Sequence, residues 1–426
     1  MMMTPPEGTE TAPFTENCER AAKTLHDADV LLIVTGAGFS ADSGLAVYGD
    51  IAKVQAYQSR GLDYADVSMP SMIDKDPELY FGFWGQALND YRATQPHGGY
   101  AILSRWRHDK CGHQSISKAI QEEIEQKATQ QNVLEDEEVQ RLTPYASDGS
   151  RPAGAFHVFT SNVDAHMFDY FHANEINNCH GNIELWQCSS RDCTSGIWRA
   201  PLQHKFLVDT STMLAPEFVT DPRLAPQSSD VVVEEDATIP LETTTATTTT
   251  TTTAAIGQTQ GKDKRDHNVL SGMPPGKDTT GWRVDEGSNW PKCGHCGSLA
   301  RPSIFCFGDF GWKWDKSEEI RWDLWKETIL DLVGQQHDEG LRLCIVEIGC
   351  GSNVETCRVT SEQLLEDVLK KGGNATIVRI NPDFPFAPEG SVSENHTIPI
   401  RSRGLPALKQ IDLFYSSFGK QQDQCD

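Results

Sequence analysis

Four apolar runs that end in small or amide residues constrain the fold of this chain more than any other feature. The runs cover Val30 to Val34, Phe156 to Phe159, Leu343 to Ile348 and Thr376 to Ile380. Parallel strands that are covered on both faces lose their polar alternation, so such runs are typical of buried parallel strands. Helical segments lie between the runs, and this rhythm predicts a doubly wound parallel α/β sheet.

The residues that end these runs are predicted to meet along one edge of the sheet. They are Gly36, Asn162, Gly349, Ser352 and Asn381. In open α/β sheets, ligands bind at the carboxyl ends of the strands. We therefore expect the functional site at this edge, with a dinucleotide lying along it.

The first apolar run leads into a glycine-rich turn. The spacing Gly36-x-Gly38-x-x-Ala41 fits the Gly/Ala form of the dinucleotide fingerprint. Glycines let a phosphate approach the backbone, and the N-terminus of a following helix supplies free N–H groups and partial positive charge. A mere tight turn is the alternative. No acidic residue ends a second strand about 20 positions later, which argues against an ordinary dehydrogenase.

Residues 155–188 concentrate the groups that can carry chemistry. The second run is followed by Thr160-Ser161-Asn162-Val163-Asp164, a set of short polar side chains. Further along, Cys179-His180-Gly181-Asn182 places a lone imidazole beside a glycine. The unperturbed pKa of histidine is about 6.5, so a histidine can accept a proton at neutral pH. A histidine packed in the core is the alternative reading.

Four cysteines form two close pairs that predict a metal site. Cys188 and Cys193 form the first pair, and Cys293-Gly294-His295-Cys296 follows about 100 residues later. Closing a loop of about 100 residues instead of about 20 costs about 1.4 kcal/mol more, whereas a structural zinc contributes on the order of 10 kcal/mol. Four thiolates leave no open coordination position, so we expect one structural zinc per chain. Unrelated reduced thiols are the alternative.

Composition narrows the classes of function and the expected location. The net charge of −24 argues against sequence-independent binding to nucleic-acid backbones, which needs clustered Lys and Arg. No run of about 18 apolar residues predicts a membrane helix, and the N-terminus lacks the pattern of a secretory signal. The twelve cysteines are therefore expected in a reducing compartment, the cytoplasm or the nucleus.

The expected domain organisation is discontinuous. We expect a Rossmann-like domain over 13–186 and 311–415, with a charged insertion at about 108–154. A zinc module is expected over 187–310, and it contains a disordered Thr-rich insertion at about 205–281 that has no means of burying surface. Residues 1–12 and 416–426 are expected to be tails, the first of them disordered.

Taken in their order along the chain, these motifs resemble those of the sirtuins, NAD-dependent protein-lysine deacylases, and in particular a divergent microbial-type subgroup. The matching segments are TGAGFSADSG (35–44), FTSNVD (159–164), CHGN (179–182), the four cysteines, RPSIFCFGD (301–309), GCGS (349–352) and INPD (380–383). They span about residues 30–410 outside the two insertions. The resemblance implies a Rossmann-like domain with a small inserted zinc module, and NAD consumed as a co-substrate.

The resemblance also implies roles for individual residues. His180 matches a general base that acts through the nicotinamide-ribose hydroxyls, and Asn162 and Asp164 match residues that hold the nicotinamide ribose and carboxamide. The other implied NAD contacts are Gly36, Ala37, Gly38 and Ser40 at the phosphates, Tyr48 and Ser161 near the nicotinamide ribose, and Gly349, Ser352 and Asn381 facing the adenosine. The acyl-lysine peptide is implied to add as a β-strand along Phe307, Gly308 and Asp309, and the zinc ligands are Cys188, Cys193, Cys293 and Cys296.

Three positions depart from the family pattern. Residues 45–49 read Leu-Ala-Val-Tyr-Gly where the family usually reads Ile/Leu-Pro-Asp-Phe-Arg, Ser161 stands where glutamine is usual, and Cys350-Gly351 stands where Thr-Ser is common. An arginine is not equivalent to glycine near a phosphate. The main expectation is a deacylase that acts on an acylated-lysine protein, with no nucleic-acid or membrane partner. An ADP-ribosyltransferase, an NAD glycohydrolase and a silent NAD-binding scaffold remain as alternatives.

Overall fold

The structure is a computed structural model that describes most of the chain. The described residues are 11–46, 50, 54–112, 114–131, 154–218, 279–306, 308–335, 341–352 and 354–422. Tyr48, Phe307 and the Thr-rich tract at 243–253 lie outside them. Among the described helices, none has both the length and the apolar character that crossing a membrane requires.

Strands and helices alternate through most of the described residues. The strands are β1 (Val30–Thr35), β2 (Phe156–Thr160), β3 (Ile176–Asn178), β4 (Gly181–Cys188), β5 (Trp198–Arg199), β6 (Trp282–Val284), β7 (Pro291–Cys293), β8 (Ala300–Ile304), β9 (Arg342–Ile348), β10 (Asn374–Ile380) and β11 (Thr397–Ile400). The α-helices are α1 (Thr11–Asp27), α2 (Ala37–Ser40), α3 (Gln55–Gln58), α4 (Tyr64–Ser68), α5 (Met72–Lys75), α6 (Pro77–Ala93), α7 (Gly98–Gly112), α8 (Gln114–Gln130), α9 (Lys316–Gln335), α10 (Thr356–Lys370) and α11 (Gly404–Gln422).

Six parallel strands form the main sheet in the order β11-β10-β9-β1-β2-β3. The chain builds outward from β1 through β2 and β3 on one side, then returns to add β9, β10 and β11 on the other. This is the strand order of a doubly wound Rossmann-type sheet, and it confirms the predicted fold class. The direction of winding reverses between β1 and β9, and ligands bind at such switch points.

Helices cover both faces of this sheet. Leu31 and Ile33 of β1 pack into a core with α1, α7 and α11, whereas Leu32 and Val34 pack into a second core with α9 and α10. Alternate side chains of one strand therefore enter two cores, because successive residues point to opposite faces. The apolar run from Val30 to Val34 follows from this double burial.

Part of the charged stretch at about 108–154 forms a packed helix. Helix α8 buries Ile120 completely in the core that it shares with α9 and α10. Lys127 of α8 forms an ion pair with Asp331 of α9. This part of the charged stretch is therefore an integral helix of the fold, Gln114–Gln130.

A smaller module lies beside the main sheet and has a core of its own. Strands β4, β5 and β8 form an antiparallel sheet, and β6 pairs with β7. The ring of Phe206 stacks 5.8 Å from Trp186 of β4 and 6.0 Å from Phe81 of α6. A buried ion pair of 2.6 Å between Arg92 of α6 and Glu184 of β4 holds the helix to the module. The α6 helix is thus part of this second core.

A buried histidine in the main sheet predicts a measurable pH dependence of stability. His157 of β2 stacks 5.2 Å from Trp325, and burial, together with the positive charge of Arg321, lowers the pKa of His157 to about 3. In the unfolded chain, His157 takes up a proton at about pH 6.5, whereas in the folded chain it stays neutral down to about pH 3. The contribution of His157 to the free energy of unfolding therefore falls by about 1.4 kcal/mol per pH unit as the pH drops through this range.

We therefore expect His157→Phe to flatten the loss of stability below pH 6.5. Urea unfolding of the wild type and of His157→Phe at pH 7.5, 6 and 5 measures the difference between the two free energies of unfolding. That difference should shift in favour of the variant by about 1.4 kcal/mol per pH unit. The exposed His108 provides the control substitution, His108→Phe. Parallel pH profiles for the wild type and His157→Phe would show that the buried imidazole does not carry the effect.

Candidate active site

Three glycines bring the turn after β1 against the turn after β9. A Cβ added at Gly36 would lie 2.8 Å from the Gly349 carbonyl oxygen, and one at Gly38 would lie 2.8 Å from Gly349 Cα. Gly349 has a φ of +66°, and a Cβ there would lie 2.4 Å from Phe39 N. Only glycine permits both the conformation and the close approach, so the two strand ends meet at the switch point.

The backbone N–H groups of the first turn are largely used within the protein. Gly36 N–H donates to Ile348 O at 3.0 Å, Gly38 N–H to Gly349 O at 3.0 Å, and Phe39 N–H to Gly36 O at 2.9 Å. Helix α2 is a single turn of four residues. The turn therefore offers a ligand fewer free N–H groups than a glycine turn followed by a long helix, and its glycines mainly allow two strand ends to pack.

Ser40 links the first turn to the polar stretch after β2. Its hydroxyl donates to Asp164 Oδ2 and accepts from Asn162 Nδ2 at 3.0 Å. All three side chains are buried. Asn162 Oδ1 is buried and has no hydrogen-bond donor within the described part of the chain. Buried acceptors are rarely left without a partner, so this oxygen marks a place where a ligand would donate.

His180 lies between β3 and β4, beside the N-terminus of α10. Its Nε2 lies 3.4 Å from Thr356 Oγ1. Gly181 has a φ of +71°, and a Cβ there would lie 2.0 Å from Ser303 O, so glycine is required after the histidine. Burial lowers the pKa of His180 below its ordinary value, although Cys357 acts in the opposite direction. The imidazole is therefore neutral at pH 7 and able to accept a proton.

The N-terminus of α10 connects His180 with the turn after β1. Thr356 contacts the imidazole, and the adjacent Cys357 donates from Sγ to Thr35 O at 3.3 Å. Thr35 immediately precedes Gly36. The histidine and the glycine turn therefore lie at the same edge of the sheet.

Sequence reasoning did not single out Thr356 or Cys357. The Cys357 thiol interacts with the thiols of Cys179 and Cys350. Three cysteines from separate parts of the chain thus meet beneath His180. The available signal is their position, since Cys179 adjoins the histidine, Cys350 follows a predicted strand end and Cys357 begins the next helix.

Strand β10 lies beside β9 and supports the turn that follows β9. Gly349 N–H donates to Ile380 O at 2.9 Å, and Asn381 Nδ2 donates to Cys350 O at 2.8 Å. The Asn381 amide therefore braces the turn after β9. Ser352 lies on the same turn and is exposed, as is Ala37 on the turn after β1.

Two further predicted site residues hold the loops around this edge. Ser161 N–H donates to Thr35 O at 3.1 Å and joins the ends of β1 and β2.

The Asp309 carboxylate forms a buried ion pair with Arg301, with N–O distances of 2.7 and 3.0 Å. Gly308, beside Asp309, adopts a φ of +69°. Asp309 therefore fixes the loop after β8, and Phe305 N–H at the start of that loop donates to His180 O at 2.9 Å.

The four predicted metal ligands lie together in the smaller module. The sulfur atoms of Cys188, Cys193, Cys293 and Cys296 all lie within 4.8 Å of one another. The Cys188–Cys296 distance is 3.4 Å and the Cys193–Cys293 distance is 3.8 Å. Tetrahedral zinc with bonds of about 2.3 Å to sulfur places its ligands about 3.8 Å apart. The cluster therefore fits one zinc ion, which would have no open coordination position.

A lysine supports this cluster from outside. Lys313 Nζ donates to Cys193 O at 2.9 Å and to Ser195 O at 2.6 Å. Outer contacts of this kind orient the ligands of a metal site. The loop that follows β8 is in this way tied to the predicted zinc centre.

Comparison with known proteins gives structural likeness at low sequence identity. No protein-family model matches the sequence, and neither does any curated protein. A crystal structure of a Sir2 homologue–NAD complex is 14% identical with a TM-score of 0.45, and the match covers 94% of both chains. A mutant Sir2 homologue in complex with ADP-ribose is 15% identical with a TM-score of 0.45, covering 94% of this chain and 98% of the other.

A further match is to a Sir2 protein in complex with a p53 peptide and NAD+. It is 12% identical with a TM-score of 0.41, and covers 91% of this chain and 94% of the other. All three are Sir2 proteins, the family that the sequence motifs resemble. The fold assignment itself depends on the strand order and the cysteine cluster described above.

Proposed function

We propose that the protein is an NAD-dependent protein-lysine deacylase of the sirtuin type. It would transfer the acyl group of an acyl-lysine to ADP-ribose and release nicotinamide. The observation that supports this most strongly is the location of His180 and of the buried Ser40–Asn162–Asp164 set at the same carboxyl edge of a Rossmann-type sheet. The order of the motifs along the chain, which include these residues, adds a second support.

The residues at this edge fit NAD. Asn162 Oδ1 lacks a donor, and a ribose hydroxyl or the carboxamide NH₂ would supply one. The turn at 36–40 would hold the pyrophosphate, with Gly349, Ser352 and Asn381 on the adenosine side. When bound, NAD supplies a carbon that the acyl-lysine oxygen can attack, with nicotinamide as the leaving group.

The chain's own groups would prepare and complete this reaction. Thr356 holds the imidazole of His180 so that a neutral ring nitrogen is available as the base. Asp164, fixed by Ser40 and by His166 N–H at 2.9 Å, brings a buried carboxylate to the edge. A fixed negative charge in a buried site stabilises positive charge that develops in the transition state. The loop at Gly308 and Asp309, which follows β8, would receive the peptide.

A product assay with NAD and an acetylated peptide tests this proposal. O-acyl-ADP-ribose that appears in step with free lysine is the expected result. ADP-ribose without deacylation would instead identify a glycohydrolase, and labelled protein would identify an ADP-ribosyltransferase. If the protein binds NAD but releases no nicotinamide with any of a panel of differently acylated peptides, it is a silent scaffold.

A further inference from the structure

An aromatic cavity of about 520 Å³ lies beside His180, and Asp309 is the one residue of its described lining that the function proposed above uses. Cys179 and Gly181, which flank the histidine, both line this cavity. Its aromatic lining consists of Phe159, Phe305, Phe310, Trp312, Trp314 and Trp322. Three of these are exposed, by 91% for Phe310, 47% for Phe305 and 46% for Trp314. Exposed aromatic side chains grouped around a cavity mark a binding site.

The aromatic rings of the lining pack directly against one another in two groups. The centroids of Phe305 and Trp312 are 5.0 Å apart at 37°, and those of Trp312 and Trp314 are 6.0 Å apart at 41°. Phe159 and Trp322, which also line the cavity, lie 5.0 Å apart. Aromatic faces attract a cation that lies within about 6 Å of the ring centre.

The charges around the cavity favour a cation as the ligand. The described lining contains no Lys, Arg or His, but it contains Asp309, Asp315, Glu318 and Glu319. Arg301 neutralises Asp309. The buried Arg321 interacts with both Glu318 and Asp315 and offsets one of those two charges. Glu319 is exposed. The lining therefore keeps a net negative charge next to its aromatic rings.

A buried amide oxygen supports the same ligand chemistry independently. Asn178 lines the cavity and is only 6% exposed. Its Nδ2 donates to Asn162 O at 3.0 Å, and its backbone N–H donates to Glu318 Oε2 at 2.9 Å. Its Oδ1 has no donor among the described residues. A ligand that donates a hydrogen bond inside the cavity would satisfy this oxygen.

We propose that this cavity binds the arginine or lysine side chain of a polypeptide substrate, at a position close to the acyl-lysine. This inference depends on the proposed deacylase function. A guanidinium offers a flat face to the tryptophans, positive charge to Glu319 and a donor to Asn178 Oδ1. The ring centroids of His180 and Phe305 are 6.2 Å apart. An extended peptide advances about 3.3–3.6 Å per residue, so the cation is expected about one to three residues from the acyl-lysine.

Acetyl-lysine peptides that differ at one neighbouring position test the proposal. Arginine is compared with citrulline, which has the same shape without the charge, at each of three positions on either side. At one position we expect KM to be about five- to thirty-fold lower for the arginine peptide, with kcat unchanged, which is the range of one partly buried cation–π contact with an ion pair. The preference should fall to about two-fold or less in Glu319→Gln and in Trp314→Leu.

The outcomes separate this inference from the function on which it depends. Glu366→Gln, on the far end of α10, removes an acidic group of the same kind and should keep the arginine preference. Equal KM values for arginine and citrulline peptides at every position would overturn the inference even if deacetylation proceeds. If KM instead depends on the length of the acyl chain, and Trp314→Leu abolishes that dependence, the cavity binds the acyl group. That result would also overturn the inference.

Absence of deacetylation with every peptide would count against the proposed function instead. In that case, fluorescence anisotropy with labelled, unacylated arginine and citrulline peptides still tests the cavity. We expect the same five- to thirty-fold ratio of Kd values, lost in Glu319→Gln. Equal Kd values would overturn the inference by this route as well.

Discussion

His180→Ala is expected to lower the rate of acyl-peptide-dependent deacylation by about 10²- to 10⁴-fold, the usual contribution of a general base. His180 Nε2 contacts only Thr356 Oγ1 among the described hydrogen bonds, so little of the fold depends on the ring. The Kd for NAD should therefore change by no more than about two- to three-fold, because the residues proposed to hold it remain in place. Single-turnover measurement of O-acyl-ADP-ribose, with calorimetry for NAD, separates the two effects.

The pH profile gives this prediction a second readout. A base acts only when deprotonated, and burial lowers the pKa of His180 from 6.5. In the wild type, kcat/KM should therefore be flat at neutral pH and fall only below pH 6.5, and this acid limb should be missing from His180→Ala. The exposed His108 gives the matched control, His108→Ala, which should behave as wild type. Full deacylase activity in His180→Ala would remove His180 from the reaction.

Cys293→Ser is expected to abolish zinc binding and to unfold the smaller module. Structural zinc sites supply on the order of 10 kcal/mol of apparent folding free energy. Cys188, Cys193 and Cys293 belong to the same hydrophobic core as Trp186 and Trp290. Loss of the metal should thus expose these tryptophans and shift their fluorescence to the red. Emission spectroscopy should find about one zinc per wild-type chain and almost none in the variant.

The control for this experiment is a cysteine in the other core. Cys18 is fully buried in α1, in the core of the main sheet, so Cys18→Ala should keep the zinc and the fluorescence of the smaller module. Wild-type protein that contains no zinc after purification in the presence of zinc would contradict the assignment of the four thiolates as metal ligands. The same conclusion would follow if Cys293→Ser still binds zinc.

The main strands and the edge that carries the site were predictable because each depends on a local pattern. The runs that became β1, β2, β9 and β10 are buried on both faces, so they show no polar alternation. The residues that follow these four strands lie at the same edge of the sheet, because the carboxyl ends of parallel strands share an edge. The four cysteines were predictable for a different reason, because zinc chemistry tolerates a long intervening loop.

Other elements carry no local signal. Strand β3 reads Ile-Asn-Asn and is buried by its contacts with Glu318 of α9, which are long-range. Strand β11 contains Pro399 and lies at the edge of the sheet, where a missing N–H is tolerated. The engaged N–H groups of the glycine turn, the Thr356–His180 contact and the aromatic cavity also depend on residues far apart in sequence. These features result from tertiary packing, so no local sequence motif predicts them.

The most direct test of one shared site is a crystal structure of the protein with ADP-ribose. The pyrophosphate is expected at the turn formed by Gly36–Ser40, with the distal ribose within hydrogen-bond distance of Asn162 and His180. ADP-ribose bound away from this edge, or bound there with His180 out of reach of the ribose, would contradict the proposal that these groups form one catalytic site.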